Sequence, residues 1–120
     1  MHKHSLSDLM QVEYNCHDGL DHVEVFRAFS AEQDGKRMDF LDFVNVPPGA
    51  SIGLHRHGDN CEWYVITYGQ GKMIFCGEEI RVKSGDVLKN PAFSEHALFN
   101  DSDDVISLIV FQFSGENKYE

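Results

Sequence analysis

His55-Arg56-His57 places two imidazoles two residues apart, and it is the first spacing in this 120-residue chain with chemical content. On a β-strand, residues two apart share a face. At a rise of ~3.3 Å per residue the two rings stand about 6–7 Å apart along the backbone, and both can reach one metal ion at ~2.1 Å. The same pattern arises by chance on any solvent-facing strand, so the pair needs company. Glu62 offers it: Gly58-Asp59-Asn60 is a turn signal, and a reversal of that length returns Glu62 beside the histidines. His96 is a fourth candidate; taken alone it reads as a surface or core histidine.

Competing chemistries find little support. There is no GxGxxG and no phosphate-binding loop, and Ser51 and Ser94 lack the setting of a nucleophile elbow. Cys16, Cys61 and Cys76 are an odd count without a CxxC, which argues against a disulfide framework or a thiolate zinc site. They read as reduced thiols in a cytoplasm. Cys61 adjoins Glu62 and so faces the other way, as a packing thiol. Twenty acidic residues against ten basic ones give a net charge of -10. That field repels phosphate backbones and anionic membranes, and no Lys/Arg cluster offsets it. No apolar run approaches the ~20 residues that span a bilayer, and MHKHSLSDLMQVEY has no signal-peptide character. A cytoplasmic location is therefore expected, with neither nucleic acid nor membrane as partner.

The elements that must position these residues are strands. With 42% hydrophobic and 25% charged residues the chain is compositionally globular, and its length suits one domain. Residues 1–20 read as an irregular segment with one helical turn near Ser5–Met10, 21–115 as a single domain, and 116–120 as a frayed tail. Val23–Phe29 and Met38–Val46 alternate; in the latter Phe40 and Val44 share one face, Leu41 and Phe43 the other. A turn is expected at Gly35–Arg37. Pro47-Pro48-Gly49 ends a strand. Further strands are expected over Ile52–His57, Glu62–Tyr68, Lys72–Phe75, Glu79–Lys83, Val87–Asn90, Glu95–Phe99 and Val105–Phe113. Gly69-Gln70-Gly71 and Cys76-Gly77 supply turns between them. Short strands with frequent turn signals indicate an all-β sandwich or barrel.

The full spacing is more specific than its parts. Gly49, five residues, His55-x-His57, four residues, Glu62, six residues, Gly69 forms one block. Gly85, five residues, Pro91, four residues, His96, three residues, Asn100 forms a second. These blocks resemble the two motifs of the cupin superfamily, in the small single-domain, metal-binding type. One position departs: Phe93 stands where that family usually has glycine. The resemblance implies a double-stranded β-helix, the jelly-roll cupin barrel. It also implies His55, His57, Glu62 and His96 as ligands of one divalent transition metal. Nitrogen and oxygen ligation without sulfur suits Mn, Fe, Co, Ni or Zn. Phe93 is expected to give its loop a different turn and to cap the cavity or cover a dimer contact.

Parity from Glu62 turns Tyr64 and Ile66 inward and Trp63, Val65 and Thr67 outward. Leu98 and Asn100 share the face of His96, Asn100 more as a turn-fixing residue. Gln112 interrupts the apolar face Ile106, Leu108, Val110. The expected substrate pocket is therefore Tyr64, Ile66, Leu98, Gln112 and Phe93, with Arg27 a further polar candidate. Tyr64 is the candidate catalytic acid, base or orienting hydroxyl. The resemblance implies a metalloenzyme acting on a small oxygen-rich molecule, with a slight lean to a dioxygenase. An oxygen-independent isomerase, epimerase or lyase, or a non-catalytic cupin binding a sugar or metabolite, is the alternative. The apolar strand Met38–Val46 and the outward Trp63 and Val65 point to a homodimer.

Overall fold

The computed structural model describes residues 5–30 and 38–114. The turn expected at Gly35–Arg37 and the tail 116–120 lie outside them. One helical turn, α1 (Leu6–Leu9), precedes ten strands: β1 (Gln11–Tyr14), β2 (His22–Ser30), β3 (Met38–Val46), β4 (Ser51–Arg56) and β5 (Asn60–Tyr68), then β6 (Gln70–Phe75), β7 (Glu78–Lys83), β8 (Val87–Asn90), β9 (Glu95–Phe99) and β10 (Ile106–Ser114). They form two antiparallel sheets, six strands ordered β1-β2-β3-β10-β5-β8 and four ordered β4-β9-β6-β7. This is the expected all-β jelly roll. Among the described residues no helix is long and apolar enough to cross a membrane.

The sheets face each other across one core. β3 and β5 alternate strictly over this interface: Val44, Val46, Tyr64 and Ile66 are buried, while Phe43, Trp63 and Val65 lie half-exposed on the outer side. Period-2 burial follows from side chains pointing to opposite faces of a strand. β10 lies between β3 and β5 and adds Ile106, Leu108 and Val110 to the core. From the smaller sheet come Ile52, Met73 and Leu98.

Some connections differ from the sequence reading. Residues 11–14, read as irregular, form an edge strand, because Gln11 to Tyr14 pair in register with Val25 to His22. The turn after β5 is narrower than expected: only Gly69 turns (φ 90), and Gln70 and Gly71 already belong to β6. The turn at Cys76-Gly77 has positive φ at both positions (47 and 83), as tight two-residue hairpins require. Asn100 is a turn-fixing residue. Its amide donates to the carbonyls of Val46 (2.8 Å) and Asp104 (2.7 Å), and its Oδ1 accepts from the Ser102 N–H and hydroxyl.

The loop before β9 corrects the expectation for Phe93. It does not take a new turn. Phe93 adopts φ 63, in the left-handed region that a glycine would occupy. Its N–H donates to the Gly58 carbonyl (2.9 Å), and its own carbonyl accepts from the Arg56 guanidinium (2.9 Å). These bonds hold the backbone and leave the ring 61% exposed. Phe93→Gly should therefore raise stability, by up to about 1 kcal/mol once the looser unfolded chain is counted. Urea unfolding monitored by circular dichroism checks this; a lower midpoint would mean that the ring packs on something.

Candidate metal centre

Three strands from both sheets bring the chemistry together. In the smaller sheet His55 on β4 is the direct cross-strand partner of His96 on β9. His57 follows the end of β4, with its N–H donating to the Ser94 carbonyl (2.9 Å). Glu62 comes from β5 in the larger sheet, where it pairs with Gln112 and Asn90. The pairing of β4 with β9 shifts register between Ile52 and His55. In a regular strand those two residues, three apart, would face opposite ways. The irregularity lets both line the same cavity, a re-aiming that bulges commonly perform beside functional sites.

The ligand atoms of His55, His57, Glu62 and His96 all lie within 4.8 Å of one another. Glu62 Oε1 is 3.2 Å from His57 Nε2 and 3.1 Å from His96 Nε2, and those two nitrogens are 3.4 Å apart. Adjacent vertices around an ion at ~2.1 Å are separated by about 3.0 Å, so the spacing fits. The outer ring atoms set the tautomers. His55 Nδ1 lies 2.8 Å from the Gly53 carbonyl, and His57 Nδ1 lies 2.6 Å from Asn60 Oδ1. Each Nδ1–H donates outward, so each Nε2 presents a lone pair inward. His55 Nε2 and Glu62 Oε1 are buried without a hydrogen-bond partner. Ring nitrogens and a carboxylate crowded this closely are what a cation would satisfy, and the residues present fit one.

Burial and mutual charge shape the acidities. Burial pushes His55 down to about 4. Burial also opposes a charge on His57, but the adjacent Glu62 carboxylate outweighs it and raises that pKa. For Glu62, burial would raise the carboxyl, yet contact with His57 and His96 prevails and lowers it to about 2. The site thus keeps an ionised carboxylate and, at His55, a neutral imidazole, the forms that ligate metals. Tyr64 is fully buried with its Oη 3.2 Å from His96 Nε2. Burial, reinforced by Glu62, moves its pKa well above the ordinary value. A phenol held protonated is a donor, so the geometry favours the orienting role over that of a base.

A cavity of about 250 Å³ opens beside the cluster, with His55, Glu62 and Tyr64 in its wall. Val23, Val25, Phe40, Val44, Ile52 and Val110 make its apolar sides. Its other polar groups are Glu13, Cys16, His17, Arg27 and Asp42. Arg27 does reach the cavity, forked onto Asp42 (2.8 and 3.1 Å) and lying 4.5 Å over the Phe40 ring. Four expected pocket residues do not line it. Ile66 and Leu98 are packed into the core, Phe93 is exposed, and Gln112 turns its amide to Asp39 Oδ2 (3.2 Å). Of the lining groups missed from sequence, Asp42 left a signal: a carboxylate in the inward series Phe40, Asp42, Val44. Glu13, Cys16 and His17 left none, because they lie in a segment without periodicity.

Residues 42–111 match the family model described as a cupin domain. This chain is a cupin. It is 30% identical over 86 residues, 72% of its own length and 71% of the relative's, to a protein of Thermotoga maritima named as an oxalate-binding protein. Among solved structures it resembles a predicted oxalate decarboxylase of Thermotoga maritima (TM-score 0.86, 24% identity, 92% of this chain and 96% of that one). It also resembles a cupin sugar phosphate isomerase of Silicibacter pomeroyi (TM-score 0.71, 18% identity, 92% and 75%). Identities of this size between structures establish the fold.

The cluster yields a direct test. Purified cupin should carry about one transition metal ion per chain, read by plasma mass spectrometry, and a chelator should lower its melting temperature. Ligand saturated at 100 times its dissociation constant stabilises a fold by about 2.7 kcal/mol. His55→Ala and Glu62→Gln should abolish both the bound metal and the chelator's effect.

Proposed function

We propose that this cupin is a metalloenzyme that binds a small oxygen-rich anion, with carboxylate or adjacent oxygen groups, at a His55/His57/Glu62/His96 centre holding one Mn, Fe, Co, Ni or Zn ion. The observation that carries the reading is the position of the cluster. His55 and Glu62 face the cavity as well as each other, so the ligand set is not closed over. Structural metal sites are sealed by protein, whereas catalytic ones keep a position open. An ion there supplies Lewis acidity to adjacent ligand oxygens and, if iron or manganese, redox chemistry. The remaining work falls to the chain's own residues. Tyr64 keeps a protonated hydroxyl beside the His96 ring, Arg27, forked onto Asp42, places a guanidinium in the cavity wall, and the apolar sides exclude water. The name of the Thermotoga maritima relative supports a dicarboxylate as ligand.

The enzymatic reading keeps its lean toward a dioxygenase; the alternatives are oxygen-independent isomerisation or cleavage, and simple ligand capture. Calorimetric titration of oxalate into manganese-loaded protein should give saturable binding that His57→Ala removes. Substrate consumption coupled to oxygen uptake in air and absent under argon would establish the dioxygenase; turnover equal in both would favour the isomerase or lyase. Tight binding without turnover would leave a binding protein.

A homodimer belongs to the same proposal. On the outer face of the six-stranded sheet, Phe26, Phe43, Ile109, Val65 and Val87 are successive cross-strand partners. Leu41, Phe111 and Trp63 form a parallel row, the last two stacked at 6.0 Å. An apolar row across five strands and a second across three, bordered by Lys89 next to Trp63, suit a second copy, which brings the same net charge of -10 and would be repelled elsewhere. Light scattering should give about 27 kDa, twice 13.7 kDa, and Ile109→Asp should return the monomer. A cytoplasmic setting suits the three cysteines, none of which is in a disulfide.

A further inference from the structure

The segment Asn15–Asp21 is not an ordinary loop. Four of its residues other than glycine, Asn15, His17, Asp18 and Asp21, have φ between 50 and 60, a region uncommon for residues with a side chain and best tolerated by Asn, Asp and His. Strain of this kind persists only where the surroundings impose it, and it clusters at functional sites. Here the imposing contacts are visible. Asn15 N–H donates to the Asp21 carbonyl (2.8 Å) and its side chain donates to the Gly19 carbonyl (3.1 Å). Leu20 N–H donates to Ser51 Oγ (2.8 Å), and Ser51 N–H returns a bond to the Leu20 carbonyl (3.0 Å). The two backbones touch: a Cβ on Gly53 would lie 2.1 Å from the His17 carbonyl oxygen, and one on Gly19 would lie 2.2 Å from that of Ser51. Only a pair of glycines allows that approach.

The result is a strap across the cavity with one side chain placed on the metal cluster. The His17 ring stacks on the His55 ring at 3.8 Å between centroids and 12° between planes. Among the four candidate ligands His55 most needs such support. His96 is fully buried among the other rings and Tyr64, and His57 is buried with its Nδ1 held by Asn60. His55 is only half-buried, and its Nδ1 contact is to Gly53, the residue pressed against the strap. His17 is not a member of the ligand cluster. We propose that His17 is a positioning residue, which fixes the plane of the His55 ring so that its Nε2 stays aimed at the ion, and that the left-handed strap holds it there. This rests on the metal-centre reading above.

The test separates positioning from plain structural support. His17→Gly removes the ring and gives the backbone the residue best suited to φ 50, so folding is not at risk. The metal-free variant should melt at or above the wild-type temperature, yet bind Co²⁺ about tenfold more weakly, with an altered visible spectrum of the bound cobalt. His17→Phe, which keeps a flat ring on His55, should restore wild-type affinity and spectrum. A glycine variant with unchanged cobalt affinity and spectrum overturns the proposal. So does one whose melting temperature falls together with its affinity, since that is the mark of a structural anchor. A phenylalanine variant behaving like the glycine one overturns it too, since the ring nitrogens and not the stack would then matter. Wild-type protein that takes up no cobalt, indistinguishable from His55→Ala, would sink the metal-centre reading and this proposal with it.

Discussion

Lone pairs crowded together dominate this molecule. With the Nδ1–H groups of His55 and His57 donating outward to Gly53 and Asn60, their Nε2 atoms meet Glu62 as acceptors. A carboxylate taken out of water costs several kcal/mol unless it is paired or bound to a metal. Without a cation, the nearest remedy is a proton on a ring nitrogen, and the Glu62 carboxylate raises the His57 pKa in that direction against the effect of burial. A divalent ion satisfies all the acceptors at once, while a proton serves two of them. Metal binding and relief of electrostatic frustration are therefore one event, and the hydrogen bonds behind the rings make the frustration stable enough to be useful.

Holding such a cluster requires a frame that cannot relax around it. The ligands come from β4, β5 and β9, and the two sheets contributing them are locked by a shared core of Val, Ile, Leu and Met side chains packed with Tyr64. Close packing leaves little freedom for a strand to slide and let the charges part. Tyr64 joins the two roles. Its ring belongs to the core and its hydroxyl touches His96, so it links the apolar interior directly to the ligand set. The loops complete the frame. The bond from Phe93 N–H to Gly58 and that from His57 N–H to Ser94 tie the two motif turns together, which keeps His57 and His96 in step.

Much of this was legible before any coordinates. Alternation placed β3, aromatic and β-branched content placed β5, and a near-continuous apolar run placed β10; in the fold each has one buried face. The two spaced motifs located the ligands, since fixed counts between a turn and a strand leave little room for their side chains to land elsewhere. What escaped depended on tertiary contact alone. β1 carries no buried face, so Gln11–Tyr14 has no pattern to read, and only pairing with β2 makes it a strand. Ile66 and Leu98 have the right parity, but parity gives the face and not the depth, and both lie within the core. Gln112 also faces inward, yet a partner in β3, Asp39, captures its amide. Phe93 was read by its usual dislike of left-handed backbone, which the two hydrogen bonds of its loop override.

The division between what holds the ion and what meets a ligand follows from where these residues lie in the chain. Every metal-ligand candidate falls inside the stretch 42–111 that matches the family model. Half the cavity wall falls outside it: Glu13, Cys16, His17, Val23, Val25, Arg27 and Phe40 all precede residue 42. The polar groups among them differ in character. Arg27 offers a fork already anchored on Asp42. Cys16 is held as a thiol, its pKa pushed up to about 12 by burial and then by the charges of Glu13, Glu62 and Asp42, and it is not among the residues of the ligand cluster. The cavity has His55 and Glu62 of the candidate ligand set on one side and residues of β2, β3 and the strap on the other. Membership of the family thus accounts for the residues of the cluster, while half of the cavity wall beside it comes from residues before position 42.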